Sequence, residues 1–426
     1  MTGYKVYKDS IIPWIGQIPA HWETRRAKYM FKKEKRDVRP EDRVITCFRD
    51  GQVTLRENRR TTGFTESITE VGYQGIRKGD LVIHQMDAFA GSIGVSDSDG
   101  KGTSVYHCCT PSGPYIPQYY AYALREMARA GFIQSLYRGI RERSSDFNFF
   151  TFGRQFLPVP PIEEQKRIVA YLDKKITLIE SCKCQREREL QTLNELKQAE
   201  IASVVTRGLN PNVSMKDSGF PWIGMIPEHW NVKSLRAYLR LVSEKNHPDA
   251  TLLSVTREQG VIVRDVESKE ENHNFIPEDL SGYKYVRKGQ FVINKMKAWQ
   301  GSYGVSLYDG IVSPAYYVCD LDFPDKEYFS LAIRSKTYVD FFARWSKGIR
   351  VGQWDLEPIA LKSVPFLEPP VKEMQEIVDY IRNKTQKIDT MIEALTAEID
   401  RLTEYKQRLI SDVVTGQIDV RSEEIA

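Results

Sequence analysis

Cysteine is scarce, with six in 426 residues. Cys108 and Cys109 are adjacent and Cys182 and Cys184 form a CxC, so neither pair has zinc-finger or zinc-ribbon spacing. Free thiols in a reducing compartment are the simpler account. No run of 18 or more apolar residues occurs, which excludes a conventional membrane-spanning helix. The opening residues MTGYKVYKDS lack the apolar core of a secretory signal, so the expected location is cytoplasmic, with no membrane partner. Charge of one sign is lacking too: 61 Lys and Arg stand against 57 Asp and Glu, a net +4. A polycation that binds nucleic acid by bulk charge is excluded, but a local basic face is not.

Catalytic signatures are also missing. There is no G-x-x-x-x-G-K-[ST], no G-x-G-x-x-G after a strand and no H-E-x-x-H. Of the six histidines, His21 and His229 fall in a repeated segment, where a structural role suffices, and His84 is replaced by Asn294 in the second copy. No catalytic and no metal-ligating residue is assigned.

What is present is a duplication. KDSIIPWIGQIPAHWE (8–23) and KDSGFPWIGMIPEHWN (216–231) agree at 11 of 16 positions. Residues 77–100 and 287–310 agree at 14 of 24, and Gly139-Ile140-Arg141 matches Gly348-Ile349-Arg350. Pro160-Pro161 matches Pro369-Pro370, and LNELKQAEIASVVT (193–206) matches LTEYKQRLISDVVT (402–415). The offset stays within 208–210, so the chain is two copies of a unit of about 209 residues, too long a period for a solenoid. Residues 32–76 and 241–286 hardly align, which is the pattern of a shared scaffold with differing inserts.

Each unit opens on a segment punctuated by Pro and Trp. Trp14 and Trp22, with Trp222 and Trp230, are expected to pin it to a domain. Strands are expected over Asp80–His84, Gln290–Asn294, Thr103–Cys109 and Ser313–Cys319, and helices over 117–138 and 325–347. After Pro161 and Pro370, residues 162–206 and 371–415 contain neither Gly nor Pro. Ile388, Ile392, Leu395, Ile399, Leu402, Leu409 and Val413 make a coiled-coil seam, interrupted by Lys406. In the first copy Leu172, Ile176, Ile179, Leu190, Leu193 and Val204 fit, but Lys183, Arg186, Lys197 and Glu200 occupy seam positions. At ~1.5 Å per residue such a helix extends about 66 Å, so it needs a partner helix, most simply the other copy.

Basic residues supply the candidate binding surface. Residues 25–43 hold nine Lys or Arg against four acids, including Lys28, Lys32 and Lys33 with Tyr29 and Phe31 between. Arg56, Arg59 and Arg60 follow, then Lys101, Arg138, Arg141 and Arg143. The second copy offers Lys295, Lys297, Arg344, Lys347 and Arg350, with Trp299 and Trp354. Such groups bind phosphates or read guanine, yet a solvated charged face accounts for a basic run equally well.

The P-W-I-G-x-I-P-x-H-W segment opening each half, the Pro-Pro-I/V-x-E helix start and the duplicated layout resemble the specificity subunit of type I restriction–modification systems. The resemblance covers residues 8–420. The second copy departs at the helix start, reading Val371-Lys372-Glu373-Met374 where the first has Glu164-Gln165.

The resemblance implies an α+β chain: two mixed α/β target recognition domains in a pseudo-two-fold repeat, separated by a pair of long antiparallel coiled-coil helices. The expected division is an entry segment 1–23, a first recognition domain 24–157, a spacer helix 158–207, a repeated entry segment 208–231, a second recognition domain 232–366, and a spacer helix with tail 367–426. It implies a bipartite asymmetric target on double-stranded DNA, two methyltransferase subunits and two restriction/translocase subunits. S-adenosylmethionine, ATP and Mg are then expected on those partners, with no cofactor in this chain. Trp14, Trp22, Trp222, Trp230, Pro161, Gln165, Pro370 and Glu373 are expected to shape the scaffold or its partner contacts. Two rival readings are a coiled-coil scaffold that reads no DNA and a stand-alone nuclease or methylase.

Overall fold

The structure, a computed structural model, describes residues 3–59, 72–136, 146–265, 277, 279–350 and 353–423, with the backbone alone at 347–350 and 353. The chain divides into two units: Met1–Arg186 together with Ala397–Ala426, and Glu187–Thr396. The first is discontinuous in sequence, because it takes the end of the chain into its own core.

The first unit is built on a four-stranded antiparallel sheet of β1 (Phe31–Glu34), β2 (Leu81–His84), β3 (Ile93–Val95) and β4 (Tyr106–Pro111), in the order β1-β4-β2-β3. Side chains alternate across a strand, and here both faces are covered. Leu81, Ile83, Ile93 and Cys109 face a helical core, whereas Val82, Tyr106 and Cys108 face a smaller core with Ile45, Cys47, Val53 and Ile76. Those last four come from two short β ladders, Ile45–Cys47 with Val53–Leu55 and Gln74–Ile76 with Gly100–Gly102. Double burial is why LVI in β2 is a continuous apolar run. The approach of the layers is close: a Cβ at Gly94 would overlap the Gly51 carbonyl.

The helical core of this unit holds α1 (Pro117–Arg129), the entry residues Ile18 and Trp22, and Val413, Val414 and Val420 from the end of the chain. Proline at the first turn of α1 removes no needed hydrogen bond. The helix expected over 117–138 is two, Pro117–Arg129 and Phe132–Ser135, divided where Gly131 takes a left-handed φ of 74°, and residues 137 and 138 lie outside the described residues.

The second unit repeats this plan with β5 (Leu239–Val242), β6 (Phe291–Ile293), β7 (Tyr303–Val305) and β8 (Tyr317–Leu321), in the order β5-β8-β6-β7. The register is conserved: Cys109 stands opposite Leu81, and Cys319 opposite Phe291. An outer layer again covers one face, with Leu253, Val255, Val261, Val286 and Val312 packed on Val292 and Val318. Residues 241–286, which do not align with 32–76, thus contribute the same kind of layer. The helix expected over 325–347 is two, Lys326–Ile333 and Lys336–Trp345, divided where Ser335 adopts extended backbone.

The two long helices are unbroken: α2 (Ile162–Arg207) follows α1, and α3 (Val371–Val414) closes the chain. Pro161 and Pro370 precede the first helical residue; their carbonyls accept from Gln165 N at 2.9 Å and Met374 N at 3.0 Å. Within the first unit Glu180 meets Lys406 at 2.6 Å and Arg186 meets Glu398 at 3.0 Å, so the partners run antiparallel. Within the second, Lys197 pairs with Asp389 at 2.5 Å and the Tyr380 hydroxyl donates to Glu200 at 2.6 Å. Four of the five polar interruptions of the seam, Lys406, Arg186, Lys197 and Glu200, are therefore each met by a polar group of the facing helix. Exposed pairs contribute about 0–1 kcal/mol, so they fix register more than stability.

Candidate nucleic-acid interface

Four of the nine basic residues of the run in the first unit are paired within the fold. Arg25 donates to the Tyr115 hydroxyl at 2.9 Å, Arg36 pairs with Asp80, Arg39 reaches Asp99 at 3.3 Å and Arg43 pairs with Glu57. Four lysines of the run, Lys28, Lys32, Lys33 and Lys35, stay exposed. Lys28 lies over the Tyr29 ring at 4.8 Å, Lys32 stands 3.5 Å from Glu34, and Lys33 follows it on β1, an edge strand. A hydrogen bond from Thr110 holds the Glu34 carboxyl below the usual range.

The outer hairpin carries a second group. Arg59 pairs with Asp50 at 2.7 Å and lies over the Phe48 ring at 4.3 Å, while Arg56 Nε donates to Thr46 Oγ1 at 3.4 Å. Lys101 is half-buried on the neighbouring ladder, its backbone N–H donating to the Arg43 carbonyl at 2.8 Å. Arg60, Arg138, Arg141 and Arg143 lie outside the described residues.

In the second unit the structure brings residues distant in sequence together. Lys295 Nζ donates to Asp355 Oδ2 at 2.9 Å, which raises the lysine's pKa, and Trp299 packs on Trp354 with centroids 4.9 Å apart. These contacts seat the loop carrying exposed Lys297 against the hairpin of Lys347–Arg350 and Gln353–Asp355. Lys347 stands opposite Asp355 and Arg350 opposite Gln353. Arg344 is exposed near the end of its helix, beside Trp345, which stacks on Phe341.

Sequence reasoning missed the outer-hairpin turns. Arg49 and Arg257 are exposed there, in R-D-G and R-E-Q-G. The signal was present as turn chemistry after a strand, with Gly51 and Gly260 at positive φ.

The entry residues behave as scaffold. Trp22 and Trp230 are fully buried, and Trp22 Nε1 donates to Glu164 at 2.9 Å. The neighbouring His21 Nε2 lies 2.8 Å from the same carboxylate, which also accepts from the Tyr4 hydroxyl. The second unit repeats the clamp: Trp230 Nε1 donates to Glu373 at 3.0 Å and His229 Nε2 stands 2.7 Å away. Buried Gln165 donates to the Pro160 carbonyl at 2.8 Å and accepts from Ile116 N at 2.9 Å. Trp14 packs on the first core and Trp222 on Phe341 at 4.3 Å, while Pro161 and Pro370 are exposed at the helix starts.

No cluster of three or more His, Cys, Asp or Glu suited to a metal occurs among the described residues, and no helix among them is long and apolar enough to cross a membrane. Burial pushes the Cys108 and Cys319 thiols up to about 12, so neither is an activated nucleophile.

No family model matches the chain. It is 22% identical over 452 aligned positions to the putative type I restriction enzyme MjaX specificity subunit of Methanocaldococcus jannaschii, covering 96% of both chains. The similarity to a type I restriction enzyme specificity subunit thus runs along nearly the whole chain. The EcoKI specificity subunit of Escherichia coli K12 is 24% identical over 62% of this chain and 57% of its own length. A chain from a structure describing complex assembly and conformational transition of the type I R-M system shares the fold, with a TM-score of 0.65 at 16% identity, covering 94% of this chain and 99% of that chain.

Proposed function

We propose that this chain is the sequence-specific DNA-recognition subunit of a type I restriction–modification complex. It reads a bipartite asymmetric target and holds adenine methyltransferase and motor-nuclease subunits together. One observation carries the reading: a putative specificity subunit matches along 96% of both chains, so the similarity runs through both repeats of this chain.

The target recognition domains are 24–157 and 232–366. Bond-making belongs to two methyltransferase and two restriction/translocase subunits, which hold S-adenosylmethionine, ATP and magnesium, and the work is done on cytoplasmic double-stranded DNA. Base reading is assigned to the outer β layers, whose strands Ile45–Cys47, Val53–Leu55 and Gln74–Ile76, and Leu253–Thr256, Gly260–Val263 and Lys284–Val286, fall in the stretches that differ between repeats. Lys28, Lys32, Lys33, Lys297 and Arg344, exposed in the structure, are assigned to phosphates, where they set register without carrying sequence information.

The test is selection. The chain, assembled with its methyltransferase subunits, is incubated with duplexes of randomised sequence, and the bound fraction is sequenced. Enrichment of two short dissimilar elements at one fixed spacing is the expected result. Retention without any enriched sequence would overturn the reading in favour of a scaffold that reads no DNA.

A further inference from the structure

The first unit contains a cleft of about 320 Å³ between α1, the Phe48–Gly51 turn, the Ala88–Gly91 turn and the last part of α3. Its lining includes four cations, Arg49, Arg125, Arg129 and Lys406, against one carboxylate, Glu126. Three of the cations have acidic partners. Arg49 pairs with Asp87 at 3.1 Å, Arg129 makes two bonds to Glu126 at 2.6 and 2.7 Å, and Lys406 pairs with Glu180 at 2.6 Å.

Arg125 is different. Its Nε is buried without a partner, and none of its guanidinium nitrogens forms a hydrogen bond or ion pair with any described residue. Burial pushes its pKa down, and Asp50, the nearest opposing charge, is already bonded to Arg59. A guanidinium so placed lacks the compensation that buried charge requires.

The duplicated unit shows what compensation looks like. Arg334, the counterpart of Arg125, donates through Nη2 to the carbonyls of Arg257 and Glu258 at 3.1 and 2.6 Å. In the first unit the matching Arg49 carbonyl is turned to Gly91, where an added Cβ would lie 2.7 Å from it. Nε is buried without a partner in both arginines, so the repeats differ at the fork's outer nitrogens: Arg334 bonds backbone through Nη2, and Arg125 is left for another acceptor.

We infer that this cleft is an oxyanion site, which takes a phosphate group on Arg125 with Arg49 and Arg129 as flanking donors. The planar guanidinium fork matches phosphate oxygens, and cleft walls that exclude water strengthen each bond. The phosphate has two sources: a free phosphate ion, or the backbone of bound DNA. Only the second rests on the DNA-reading role proposed above.

The full-length chain is titrated with inorganic phosphate by calorimetry, against chloride at matched ionic strength. Saturable phosphate binding is expected, weakened on the order of tenfold or more in Arg125→Gln, the loss of a charge-assisted bond. Arg334→Gln, in the other unit, leaves phosphate affinity as in the parent. Should Arg125→Gln fail to fold by circular dichroism, Arg129→Gln at the cleft's edge is read in the same titration. In a second arm, binding of a random-sequence duplex is measured across salt concentrations. If DNA supplies the phosphate, Arg125→Gln lowers affinity and reduces the salt slope by about one. If the ion is free, only the first arm responds. No saturable phosphate binding together with unchanged DNA binding in the Arg125 and Arg129 variants would overturn the site; the base-selection experiment above would stand regardless.

Discussion

Trp22 donates its indole N–H to Glu164 across 142 residues of sequence, at 2.9 Å. The indole is fully buried and the carboxylate, in the first turn of α2, is almost so. Acid at that position suits the positive end of a helix, and the indole satisfies an oxygen that burial would otherwise strand. One bond therefore ties the Pro- and Trp-rich entry segment to the start of the spacer helix, and Trp230 with Glu373 repeats the tie.

Glu164→Ala leaves the Trp22 indole and the Tyr4 hydroxyl without their acceptor. A cost of about 2–4 kcal/mol is expected from two buried donors left unsatisfied. Glu373→Ala should cost less, because its side chain is 21% exposed against 4% for Glu164. Urea unfolding monitored by tryptophan fluorescence checks the order; equal losses would contradict it.

His107 sets a pH dependence. It is buried, both ring nitrogens lack partners among the described residues, and burial, aided by Lys33, pushes its pKa down to about 4. The unfolded histidine titrates near 6.5, so between pH 6.5 and 4 the unfolded chain binds the extra proton. Stability from this group is present above pH 6.5 and falls as pH drops through the window, by roughly 3 kcal/mol at most. His107→Gln should flatten that decline in thermal melts recorded from pH 7 to pH 4.

Lys297 and Lys295 are neighbours with different expected effects. Lys295 is held by Asp355, whereas Lys297 is exposed. Lys297→Ala should weaken DNA binding of the assembled complex across all sequences and reduce its salt slope by about one. Lys295→Ala should change affinity less and loosen the 347–355 hairpin. Fluorescence anisotropy at four salt concentrations separates the two.

Removing residues 397–426 should unfold the first unit selectively. The deletion strips Leu409, Val413, Val414 and Val420 from its core and removes the Val414 carbonyl that accepts from Tyr119 at 2.9 Å. Each lost aliphatic side chain is worth about 1.5–3 kcal/mol of burial, together more than a typical domain can spare. Hydrogen exchange should show protection lost in α1 while β5–β8 keep theirs.

The duplication, the helical seam and the core strands were legible because they are periodic or local properties. A 3.5-residue repeat, a continuous apolar run between turns and an identity at fixed offset can all be read along one dimension. The resemblance to the type I specificity subunits rested on the doubled entry segment, the Pro-Pro helix starts and the duplicated layout. The sequence by itself therefore determined two copies of one scaffold and the extents of both long helices. Only the tertiary structure decided which charges are spoken for. Arg36 meets Asp80 across 44 residues and Arg186 meets Glu398 across 212, and no composition count anticipates such pairs. It also decided that the first unit is completed by the end of the chain, and that Arg125 lacks the carbonyls that accept from Arg334. The physical reason is that charge compensation and core closure depend on distance in space, which folding sets independently of separation along the chain.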